Sequence, residues 1–102
     1  MNTPNNIDNI PTVYAVTDDS MYMRLAKVAE HIEAHIEQCS DQIILGLRGN
    51  FYIDSACFGR MLKINTLVKH RNKHIQFVVE EAVLTIIRLS DLDKIISVVT
   101  EV

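Results

Sequence analysis

The chain has 102 residues, 48% of them apolar and 23% charged, the proportions of a folded domain rather than a disordered segment. That length supports one core and one domain. A formal charge of −3 and a pI near 5.7 exclude the basic footprint expected of direct nucleic-acid or anionic-membrane binding.

No apolar run approaches the roughly 20 residues needed to cross a bilayer, so no membrane insertion is expected. Met1-Asn2-Thr3-Pro4-Asn5-Asn6 lacks the basic start and apolar stretch of a secretory signal. Cys39 and Cys57 show no metal or redox spacing. These features together lead to the expectation of a cytoplasmic protein whose thiols are reduced and serve packing.

Residues 1–11 are polar and Asn-rich, with only Ile7 and Ile10 to bury, and read as a flexible N-terminal arm ending at Pro11. Thr12 to Thr17 is a β-branched and aromatic run bounded by Asp18-Asp19-Ser20, a strand followed by a helix start. From Ser20 the period changes. Met21, Leu25, Val28, Ile32 and Ile36 recur at steps of three and four, the stripe of an amphipathic helix. Ser40-Asp41 ends it.

Gln42 to Leu47 is almost wholly apolar and predicts a strand buried on both faces. Gly49-Asn50 signals a turn, and Phe51-Tyr52-Ile53 leads into Asp54-Ser55. The helix opening there carries Phe58, Met61, Leu62, Leu67 and Val68 inward and ends in the basic run Lys69-His70-Arg71-Asn72-Lys73. Cations suit a helix C-terminus, so this run reads as solvated. A strand at residues 75–79, a short helix with Val83, Ile86 and Ile87 on one side, and a strand at residues 95–99 complete the chain. The alternation β-α-β-α-β-α-β predicts an α/β domain with a mixed, mostly parallel sheet of about four strands and three to four helices.

His31 and His35 lie four apart, close enough to share a metal, but the Glu between them is one place away from the H-E-x-x-H arrangement. No third ligand has a recognisable spacing, so the pair reads as a polar helix face. Nucleophilic chemistry at Ser55 or Cys57 needs a nearby base. His31 and His35 belong to another helix, and His70 and His74 fall at the far end of the helix that Ser55 opens, about 20–25 Å away at 1.5 Å per residue. Gly46, Gly49 and Gly59 form no phosphate-cradling loop. No catalytic apparatus, metal or cofactor is therefore expected. A serine at a helix start retains two roles: capping the helix, or accepting a phosphate that the helix N-terminus favours.

Leu47-Arg48-Gly49-Asn50-Phe51-Tyr52-Ile53-Asp54-Ser55-Ala56-Cys57-Phe58-Gly59-Arg60-Met61-Leu62 resembles the signature of STAS domains, typified by bacterial anti-sigma factor antagonists. That signature is an apolar strand ending in D-L-S-x-V, then x-x-I-D-S-S-G-L-G-x-L. Leu47, Gly49, Ile53, Asp54, Ser55, Gly59 and Leu62 fall in register with it. Gly46, Ala56 and Cys57 stand where it has Asp, Ser and Gly. Leu89-Ser90-Asp91-Leu92 followed by alternating apolar residues is similar to the family's L-S-G-L ending. The likeness covers residues 42–100.

The resemblance implies a STAS-like domain over residues 12–102. It implies a partner-switching protein that binds an anti-sigma factor, itself a serine kinase, and is controlled by phosphorylation of Ser55, with a phosphatase as a further partner. Asp54 and Ser55 would face the partner, with Phe51, Tyr52, Phe58 and Arg60 around them. An alternative within the same resemblance is a STAS scaffold that is never phosphorylated, such as a subunit of a membrane-associated, lipid-transport-like assembly.

Overall fold

The computed structural model describes residues 10–16, 21–48 and 54–100, with Met21 and Tyr22 described through their backbone alone. Strand β1 (Thr12–Val16) is followed by helix α1 (Met21–His35) and a 3₁₀ turn (Ile36–Gln38). Strand β2 (Gln42–Leu47), helix α2 (Ser55–His70), strand β3 (His74–Val79) and helix α3 (Glu81–Leu89) come next. A second 3₁₀ turn (Leu92–Lys94) leads into strand β4 (Ser97–Thr100). The α/β class and the element order follow the sequence pattern. So does the prominence of α1 and α2, at 15 and 16 residues.

The sheet order is β1-β2-β3-β4, and all three ladders are parallel. Among the described residues the sheet is therefore parallel throughout rather than mixed. Because the order never reverses, crossovers of one hand must all lie on one side of the sheet. Burial records this. Val16 on β1, Ile43, Leu45 and Leu47 on β2, and Ile75, Phe77 and Val79 on β3 are buried on one face. They pack against Leu25 and Ile32 of α1, Met61, Ile64 and Val68 of α2, and Val83, Leu84 and Ile87 of α3. Phe77 is the largest fully buried side chain among the described residues; truncating a ring so placed costs about 3–5 kcal/mol.

The other face is different. Val13 is 65% exposed and Val99 38%, while Ile44, Gly46 and Val78 are only half-buried. A shallow cleft of about 360 Å³ lies over Val13, Ala15, Ile44, Gly46 and Val78. The apolar run of β2 is thus not buried on both faces, because no helix among the described residues crosses to this side. Parallel sheets usually have both faces covered.

Smaller departures have local causes. In α3 the inward residues are Val83, Leu84 and Ile87, while Ile86 is 43% exposed; the rotation buries the i, i+1, i+4 set instead. The last strand begins at Ser97, because Ile95 belongs to the preceding turn and is 56% exposed. Of the expected N-terminal arm only Ile10 and Pro11 are among the described residues, and Ile10 is exposed.

The basic run after α2 is not simply solvated. Arg71 pairs with Glu37. The Lys73 ammonium donates to the Cys39 carbonyl at 2.7 Å, with the Asp41 carboxylate at 3.8 Å. The end of α2 is thereby tied to the turn that follows α1. Asn72 adopts a left-handed φ of 61°. Its N–H donates to the Lys69 carbonyl, and the Lys73 N–H donates to the Val68 carbonyl, the two bonds of a Schellman helix stop. Among the described residues no helix is long and apolar enough to cross a membrane.

Candidate functional site

Asp54 is the N-cap of α2. Its backbone is extended, and its carboxylate Oδ1 accepts from the Cys57 N–H at 3.0 Å, satisfying one of the donors that a helix start leaves open. The Cys57 N–H, with a smaller contribution from Ala56, holds the Asp54 carboxyl below its ordinary value of 3.8. The cap is therefore Asp54 and not Ser55. Ser55 is the first helical residue, exposed, and its side chain has no hydrogen-bond partner among the described residues. Of the two roles open to the serine, the structural one is already taken by its neighbour.

Next along the helix, Cys57 turns into the core at 2% exposure, and burial pushes its thiol pKa up. A buried, protonated thiol is a poor nucleophile. Cys39 is likewise free and buried. One turn on from Ser55 lies Gly59, exposed in mid-helix; a Cβ built there meets nothing within 4 Å. Ser55, Gly59, Lys63 and Thr66 form one exposed stripe at steps of three and four. Nothing in the fold itself calls for glycine at position 59, where alanine favours the helix by about 1 kcal/mol.

The other expected contact residues are dispersed. Phe58 is half-buried and packs against the core. Arg60 lines a groove between α1 and α2 with Ala29, Glu33 and Lys63. Phe51 and Tyr52 lie outside the described residues. The structure thus brings Asp54, Ser55 and Gly59 together. Gly59 was legible in the sequence only as part of the family pattern.

His31 and His35 are stacked, with ring centroids 4.3 Å apart. His35 Nδ1 donates to the His31 carbonyl at 3.0 Å, and His31 Nδ1 lies 2.9 Å from the Tyr14 hydroxyl. Burial, reinforced by the Cys39 thiol at 3.9 Å, pushes the Tyr14 pKa up to about 12. His31 thus ties α1 to β1, while His35 bonds within α1 and stacks on His31. Among the described residues, no group of three or more His, Cys, Asp and Glu side chains is placed to hold a metal. His70 closes α2 and His74 opens β3, so both lie at the opposite pole from Ser55, roughly 22 Å away along the helix.

The strand order offers no reversal point of the kind that forms a ligand crevice in doubly wound sheets. Comparison with protein-family models, curated proteins and solved structures finds no match to this chain.

Proposed function

We propose that this chain is a cytoplasmic partner-switching protein resembling an anti-sigma factor antagonist, whose switch is phosphorylation of Ser55 by the anti-sigma factor kinase it binds. The observation carrying this reading is the division of labour at the α2 start. Asp54 caps the helix, which leaves the Ser55 hydroxyl exposed and uncommitted. A serine kept for capping would instead accept a backbone N–H.

Two further features support the reading. Gly59 lies one turn below Ser55, and its missing side chain lets a partner surface approach the helix closely. Asp91 adopts a φ of 60°, and it occupies the place of the glycine in the family's L-S-G-L ending. A position that needs left-handed backbone is where glycine is favoured.

A phosphate on Ser55 adds about −1.5 to −2 charge. The positive end of α2 accommodates that anion, so the fold need not change. A partner surface fitted against the Asp54 carboxylate and a neutral hydroxyl meets repulsion and desolvation instead. Losing about 2–4 kcal/mol there weakens binding roughly thirty- to a thousand-fold, enough for a switch.

The test is incubation with the candidate kinase and ATP, followed by mass-spectrometric mapping. Modification confined to Ser55 and lost in Ser55→Ala supports the proposal. Modification elsewhere, or none by a kinase that binds the chain, overturns it.

A further inference from the structure

Asn65 is the one buried polar side chain among the described residues, at 5% exposure. It sits on the core side of α2, between Ile64 and Val68, where an apolar residue would be expected. Its carboxamide makes no hydrogen bond within the described structure. Yet no side-chain polar atom there is both sealed from solvent and unpartnered. The amide therefore reaches open space.

That space is a cleft of about 380 Å³ at the pole opposite Ser55. Register creates it. Ser97, the first residue of β4, pairs with Gln76, the third of β3, so His74 and Ile75 lack a β4 partner. The notch is closed below by the turn carrying Lys94 and on one side by the end of α2. Besides Asn65, its polar walls are Lys69, Lys94, His74, Ser97, Gln42 and Gln76. Two lysines are among its lining residues and no Asp or Glu is. The Lys94 ammonium also lies 3.4 Å from the Asp91 carboxylate, in a surface pair of a kind easily exchanged for a better acceptor.

We propose that this cleft is a binding site for a small, doubly charged oxyanion, with Lys69 and Lys94 supplying the charge and Asn65 the oriented hydrogen bonds. A cleft of this size with a few convergent polar groups is the form of a small-ligand site. A buried amide left to water has no comparable structural use, because an unpaired polar group at a core position lowers stability. Phosphate esters and dicarboxylates share the required chemistry. The site is independent of Ser55.

The experiment is a titration of the ¹⁵N-labelled chain with inorganic phosphate, and separately with succinate, at constant ionic strength set by chloride. Saturable shifts of the Asn65 side-chain amide and of the Lys69, His74 and Ser97 backbone amides are expected. Response to phosphate assigns a phosphate ligand, and response to succinate a carboxylate one. The double variant Lys69→Gln/Lys94→Gln should bind at least tenfold more weakly. Asn65→Leu should lose binding while melting at or above the wild-type temperature. Absence of saturable shifts with both anions, undiminished binding by the lysine variant, or a lower melting temperature for Asn65→Leu would overturn the assignment.

Discussion

The Asp54 carboxylate accepts the Cys57 N–H at 3.0 Å across the first turn of α2. This bond caps the helix at its start, and the intervening Ser55 stays exposed. It is also a titratable bond. The native carboxyl titrates below its ordinary value of 3.8, so the ionised form is favoured by folding. Its contribution is complete above the unfolded pKa and is lost as pH falls through the lower native one. Asp54→Asn should melt below wild type at pH 7, with the difference closing as pH drops below about 4. A difference that persists unchanged to pH 2 would assign the stabilisation to something other than the charge.

Gly59 separates the needs of the fold from those of a partner. A Cβ there meets nothing within 4 Å, so Gly59→Ala should stabilise the chain by about 0.5–1 kcal/mol. The same methyl on the Ser55 stripe should weaken partner binding several-fold. Denaturant melts and calorimetric titration check the two halves. Unchanged affinity in the stabilised variant would remove Gly59 from the interface.

Asp91 carries a left-handed backbone at the end of α3, where its N–H donates to the Arg88 carbonyl. Asp91→Gly relieves that conformation and gives up only an exposed pair with Lys94, worth little. A gain of about 0.5–1 kcal/mol is expected in chemical denaturation. A loss would mean that the ion pair outweighs the backbone.

Elements with strong periodicity were legible in the sequence. Leu25, Val28 and Ile32 announced α1, and the β-branched runs announced the strands. The coverage of the sheet was not legible, since Ile43-Ile44-Leu45 reads the same whether one face or two are buried. What decides it is strand order, a long-range property that no local window contains. The tie between Lys73 and the Cys39 carbonyl was hidden for the same reason, as the two residues meet only when α1 and α2 pack. At the candidate site, Asp54 and Ser55 stood out as a helix start. Which of the two caps the helix depended on backbone geometry, and Asn65 looked like an ordinary helix residue until its burial was known.

In the proposed switch Ser55 is a charge-sensitive contact and not a cap. Calorimetric binding of wild type, Ser55→Ala and Ser55→Asp to the proposed anti-sigma factor kinase checks this. Ser55→Ala should bind within about threefold of wild type, since a hydroxyl without a structural bond is dispensable, and Ser55→Asp at least roughly tenfold more weakly, a loss of about 1.4 kcal/mol. Equal affinity for all three proteins would contradict it.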